Sequence, residues 1–351
     1  MKARAFRTIS VLGFTILLAL QAGCQKGSRE TAPTTIEKRT LTLGAYTTPR
    51  EAYGNAIIPA FRRYWKEKTG EEVAVHESYL GSGAQARAIV GGFEADVAAL
   101  SLESDVEKIA KAGLITTDWK SGPGGGMVTR SLVVIAVRSG NPKAIRDWSD
   151  LKRPDVEVLT PNASTSGGAM WNIAAIYGAA LRGGTPAAKG SPEAAERFLR
   201  DILKRVSIMD LGARESMLTF EKGAGDAAIT YENEVLVGRK AGKPLDYIVP
   251  RSTILIENPV AVVDVYAKAH KNEDLANAFV EFLYTPEVQR AFGVHGLRPV
   301  NETVAREIEP GLPKPTDLFT IRDLGGWPKV TEILFSAGGV YDRITASLGK
   351  K

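Results

Sequence analysis

Apolar and polar residues along this chain alternate between two periods. The stretch TLTLGAY (40–46) has the period-two alternation of a strand. Thr48-Pro49-Arg50-Glu51 then combines a cap residue, a proline at the first helical position and a glutamate three residues after the cap, predicting a helix that is interrupted near Pro59 and stopped by Gly70. The same alternation continues: strands at 72–78 and 95–102, with a short helix between them opened by the capping box Ser82-Gly83-Ala84-Gln85, and a helix closed by Gly113. RSLVVIAVRSG (130–140) is almost continuously apolar, as for a strand buried on both faces. Strands at 156–162, 207–210, 226–232, 245–250 and 259–267 follow, with helices after Ser164, at 192–205 and from Arg214, and a helical hairpin over 273–293. Strand alternating with helix predicts an α/β architecture with parallel sheets.

The N-terminal segment departs from this pattern. Lys2, Arg4 and Arg7 precede a short apolar run, Val11 to Leu20, and then Gln21-Ala22-Gly23-Cys24. This is the layout of a secretory signal peptide over 1–23, with an apolar run shorter than the roughly 20 residues a spanning helix needs. Those three basic residues account for three of the +5 formal charges, leaving +2, which removes the electrostatic case for nucleic-acid binding. Cys24 is the single cysteine, so an internal disulfide is excluded. Its position after Ala-Gly resembles the lipobox of bacterial lipoproteins, with Gln21 where leucine is usual, and implies a diacylated membrane anchor on the extracytoplasmic or periplasmic face. Residues 24–39 are expected to form a polar tether.

Candidate chemistry concentrates at the strand ends. Four polar or glycine-bearing loops lead into predicted helix starts: 46–49, Gly81-Ser82-Gly83, Ser164-Thr165-Ser166-Gly167-Gly168, and Asp210-Leu211-Gly212-Ala213-Arg214. Free N–H groups and the positive end of the dipole make each an incipient anion site, at the carboxyl end of a strand where ligands bind in open sheets. Enzyme motifs fail at these residues. No G-x-x-x-x-G-K-[ST] string is present, Ser82 lacks G-x-S-x-G spacing, and Ala86 stands where a dinucleotide fingerprint needs glycine. The three histidines, His76, His270 and His295, share no ligand spacing, so no metal or other cofactor is expected. Glu232 and Glu234, read as strand residues, would face opposite sides. The chain reads as a binder and not an enzyme.

From Leu41 to the C-terminus the chain resembles the periplasmic sulfate-binding proteins of ABC importers. The resemblance is carried by SYLGSGAQAR, GGFEADVAALSL, the run from VRSGNPKAIRDW to NASTSGGAMWN, DLGARESMLTF, YENEVL, TPEVQ, LRPV, GGW (325–327) and FSAGGVYDRI. It implies a two-lobed type II periplasmic-binding-protein fold with a hinge between lobes, lobe 1 as 40–130 plus 256–351 and lobe 2 as 131–255. It also implies a dehydrated sulfate held without a paired cation, and a permease and ATPase of an importer as partners. The implied donors are the N–H groups of Thr47, Ser82, Gly167, Gly168 and Ala213, the Ser82 hydroxyl, and Tyr231 in place of an indole. Gly81, Gly83, Ser166 and Arg214 would support them, with Arg87 and Arg214 as solvated or supporting cations. Leu80 replaces a family glycine and Thr47 an aspartate. Thiosulfate, phosphate and molybdate remain alternative ligands.

Overall fold

The computed structural model describes residues 38–185 and 190–350. The expected signal peptide, Cys24 and most of the tether lie outside the described residues. Within them the strands are β1 (Arg39–Tyr46), β2 (Val73–Leu80), β3 (Val97–Ala99), β4 (Met127–Arg138), β5 (Val158–Leu159), β6 (Val206–Ile208), β7 (Ala227–Tyr231), β8 (Leu245–Ile248), β9 (Ser252–Val262), β10 (Arg298–Pro299) and β11 (Asp317–Phe319). Their order is β2-β1-β3-β9-β4-β7-β5-β6, with β8 and β10 on β4 and β11 on β9.

Two long strands organise this sheet. Val97–Ala99 of β3 pair antiparallel with Val260–Val262 at the end of β9. The middle of β9 pairs with the first half of β4, and the second half of β4 pairs with β7 and β8. The path from β1–β3 to β5–β7 therefore runs through β9 and β4. The apolar run of β4 explains its place: Val133, Ile135 and Val137 enter one core with Trp148 and Trp171, while Leu132, Val134 and Ala136 enter another with Met217 and Phe220. Each large apolar side chain fully buried this way contributes about 1.5–3 kcal/mol.

The sheet is mixed, where the alternation of strands and helices predicts a parallel one. Pairs β1–β2, β1–β3, β5–β6, β5–β7 and β9–β11 are parallel. Every pair made by β4 is antiparallel, and so is β3–β9, because the two long strands run against the units they join. Two expected strands also end early. Glu232 opens the helix Glu232–Lys240, and Asp264 opens Asp264–Ala269. Acidic residues in a first turn favour the helix dipole there, and the Asp264 carboxylate also accepts from the N–H groups of Thr116 and Thr117 at 2.6 and 3.0 Å. The Glu232/Glu234 face argument from strand periodicity therefore does not apply. The interruption near Pro59 is a π-helical turn, Tyr53–Ile57, just before the helix Ile58–Thr69.

The C-terminal segment sits elsewhere than the expected boundary. β11 pairs with the start of β9, at Ser252–Ile254. Phe319, Ile321, Trp327, Val330, Leu334 and Ile344 share a core with Trp148, Trp171 and Phe198. Trp327 meets Trp171 edge to face at 4.7 Å. Residues from Asp317 onward thus pack mainly with the expected lobe 2, because their apolar face complements the helix Gly167–Leu181, and Gly326–Val330 also meets the helix Glu103–Lys111.

Candidate anion site

Three helices begin at the carboxyl ends of strands and bring their first turns together. They are Ser82–Val90, capped by Gly81; Gly167–Leu181, capped by Ser166; and Ala213–Glu221, capped by Gly212. The N–H groups of Ser82, Gly167, Gly168 and Ala213 lie in first turns, which have no intrahelical acceptors. The Ser166 side chain accepts from the Ala169 N–H at 3.3 Å, so a true cap stands beside the two glycines.

The glycines show how closely the loops approach. A Cβ at Gly81 would lie 2.5 Å from the Thr165 carbonyl oxygen and 3.0 Å from that of Leu211. One at Gly168 would strike Tyr231 Cε2 at 2.8 Å and Ala213 Cβ at 3.0 Å. One at Gly167 would meet Ser101 Oγ at 2.6 Å, and one at Gly212 would sit 3.3 Å from Thr47 Oγ1. Thr165 Oγ1 also donates to the Leu211 carbonyl at 2.8 Å. Thr47, Ser82, Ser166, Gly167, Gly168, Ala213 and Tyr231 are all buried. The structure therefore brings every expected donor residue into one enclosed cluster.

One expected role changes. Ser82 is the first residue of its helix, not its cap, and Gln85 accepts from Ser78 Oγ rather than closing a capping box. The Ser82 hydroxyl donates to Asp105 Oδ2 at 2.6 Å and accepts from the Ser101 N–H at 3.0 Å. Its hydrogen is therefore committed within the protein. The Ser166 hydroxyl only accepts, from Ala169, so its hydrogen remains available at the cluster.

Nearby cations are engaged by carboxylates. Arg214 bridges Glu51 at 2.9 Å and Glu234 at 3.1 Å, Lys108 pairs with Asp105 at 2.8 Å, and Arg298 pairs with the buried Glu232 at 2.7 Å. Arg87 donates to the Ser164 carbonyl at 3.3 Å across the opposing loops, so it acts as a support. Burial pushes the Glu234 carboxyl up to about 7, with Arg214 pulling the other way. Burial likewise pushes the Tyr231 phenol well up, so it stays protonated near neutral pH. Its ring lies 6.3 Å from that of Tyr46, and its hydroxyl is 2.6 Å from Ser101 Oγ. Ser101 and Asp105 escaped the sequence reading. The signal that marks them is their place directly after β3, a fifth strand end that carries no glycine.

Residues 41–298 match the family model described as Bacterial extracellular solute-binding protein. The chain belongs to that family. It is 41% identical over 343 residues to a sulfate-binding protein of Synechococcus elongatus, covering 97% of this chain and 96% of that one. It is 35% identical over 319 residues to a thiosulfate-binding protein of Escherichia coli, covering 89% and 93%. Among solved structures it resembles the sulfate-binding protein SubI from Mycobacterium tuberculosis H37Rv, at 37% identity and a TM-score of 0.76, covering 85% of this chain and 100% of that one. The fold is thus the two-lobed one of the periplasmic binding proteins, with β4 and β9 as the connecting strands. Family members are solute receptors. No helix among the described residues is long and apolar enough to cross a membrane.

Proposed function

We propose that this protein receives sulfate in the cleft between its lobes, on the extracytoplasmic side, and delivers it to the permease and ATPase of an ABC importer. The observation that carries this reading is the convergence of three helix starts on one buried cluster, with the neighbouring Arg214, Lys108 and Arg298 engaged by carboxylates and Arg87 by the Ser164 carbonyl. A dianion is costly to bury unless its oxygens are satisfied. Several charge-assisted hydrogen bonds of about 1.5–3 kcal/mol each, with helix dipoles behind them, offset that cost. The donors in this reading are the N–H groups of Thr47, Ser82, Gly167, Gly168 and Ala213, the Ser166 hydroxyl and the Tyr231 phenol. The sulfate-binding relatives at 37–41% identity support the choice of anion.

The lobes in this reading are 40–132 with 256–316, and 133–255 with 317–350, hinged on β4 and β9. The N-terminus is processed before Cys24, whose lipid holds the protein at the membrane. The 35% identical thiosulfate-binding relative favours thiosulfate as a second ligand. Calorimetric titration of the purified protein, freed of endogenous anion, tests both. Sulfate should bind at micromolar concentrations or below, and absence of binding by any tetrahedral oxyanion would overturn the reading.

A further inference from the structure

One buried pair at the site has chemistry that a donor-only pocket does not need. Ser101 and Tyr231 are 1% and 0% exposed, and their hydroxyl oxygens lie 2.6 Å apart. The rest of Ser101 is pinned. Its N–H donates to Ser82 Oγ at 3.0 Å, and its carbonyl accepts from Trp171 Nε1 at 3.0 Å and Asn258 Nδ2 at 3.1 Å. The two side chains also stand against the glycine donors: Ser101 Oγ is 2.6 Å from a Cβ position at Gly167, and Tyr231 Cε2 is 2.8 Å from one at Gly168.

Two hydroxyls sharing one hydrogen bond use one of their two hydrogens between them. The other hydrogen is left over, and so is a lone pair on the Ser101 oxygen, while the Asn258 side chain also reaches the Tyr231 hydroxyl. Either oxygen can be the donor within the pair. A sulfate accepts the remaining hydrogen. A singly protonated oxyanion can instead give its own O–H to one hydroxyl oxygen while it accepts the remaining hydrogen on another of its oxygens. Backbone N–H groups have no such reversibility, so on their own they leave a ligand O–H without an acceptor.

We propose that Ser101 is a specificity-determining residue of this site, and that its two-way pair with Tyr231 admits singly protonated tetrahedral oxyanions, of which hydrogen phosphate is the type, beside sulfate. This rests on the oxyanion reading above. At pH 8 hydrogen phosphate carries the same double charge as sulfate, since the second ionisation of phosphoryl groups lies near 6. The proton is then the difference the site must accommodate.

The test is calorimetry at pH 8 with sodium sulfate, selenate and phosphate on the wild type, Ser101→Ala and Tyr231→Phe, each checked by thermal melting. Selenate is the unprotonated control. The wild type should bind all three. Ser101→Ala should keep sulfate and selenate within about threefold and lose phosphate by about tenfold or more, because a single hydroxyl facing one ligand oxygen either donates or accepts there, and the pair that donates to one ligand oxygen while accepting from another is gone. Tyr231→Phe should shift the sulfate-to-phosphate ratio the same way, and it decides the matter if Ser101→Ala fails to fold. Sulfate binding without phosphate binding in the wild type would overturn the proposal, as would equal losses of both anions in the variants. A wild type that binds no oxyanion would instead refute the oxyanion reading itself.

Discussion

Ser82 hands its hydroxyl hydrogen to the buried carboxylate of Asp105, 2.6 Å away, and receives the Ser101 N–H on the same oxygen. The residue at the head of its helix is thus locked between the end of β3 and the helix that follows it. That lock separates what its backbone does for a ligand from what its side chain does for the fold.

Ser82→Ala and Ser166→Ala should therefore behave differently. Ser82→Ala leaves Asp105 and the Ser101 N–H short of a partner inside the protein, at a cost of about 1–3 kcal/mol in stability. Its sulfate affinity should fall only a few-fold. Ser166→Ala removes a ligand donor and a helix cap, and should weaken sulfate about ten- to a hundred-fold. Denaturant melts paired with calorimetry read both. The opposite ordering of affinities would return the ligand hydroxyl to Ser82.

Gly81→Ala probes closure. Gly81 has an ordinary extended conformation, φ −55 and ψ 141, so alanine strains nothing locally. Its Cβ would nevertheless lie 2.5 Å from the Thr165 carbonyl oxygen of the opposing loop. The variant should melt like wild type without ligand, yet bind sulfate at least about tenfold more weakly. Small-angle scattering should show compaction on sulfate addition in the wild type and less in the variant.

Glu234 sets a pH dependence. Its carboxyl is raised from 4.5 to about 7 by burial, so between those values the folded state holds a proton that the unfolded chain has released. Its contribution is fully present below about 4.5 and is lost as pH rises through about 7. Glu234→Gln imitates the protonated form and should flatten that part of the stability curve, a difference on the order of 3 kcal/mol between pH 4.5 and 8. Chemical denaturation across this range measures it. Parallel curves for the two proteins would show that Glu234 is not the group responsible.

Cys24→Ser tests the anchor. The variant should move from the membrane fraction to the soluble extracytoplasmic fraction, with its sulfate affinity unchanged. Continued membrane association would mean that Cys24 does not hold the protein there.

The residues that the structure gathers into this cluster were legible because glycine and cap residues before a helix start have a backbone meaning that survives without tertiary information. That logic located Gly81, Ser166, Gly167, Gly168 and the loop before Ala213. The role of Ser82 was not legible, since its partner Asp105 is a non-local contact across a strand end. Ser101 sits in an apolar run and carries no local signal beyond strand periodicity. The helix at Glu232 was missed because YENEV suits either a strand or a first turn, and the acidic first turn decided it. The packing of the C-terminal segment was not legible for a similar reason. The apolar face of 319–344 finds its match only in the assembled core around Trp171.

The most direct measurement is a crystal structure of the protein grown with selenate, with anomalous data collected at the selenium edge. A single strong peak is expected, enclosed by Thr47, Ser82, Gly167, Gly168, Ala213 and Tyr231, with the Ser166 hydroxyl within hydrogen-bonding distance. No anomalous peak in that cluster, with selenium found instead at the surface cavity lined by Arg130, Arg306 and Lys314, would contradict it.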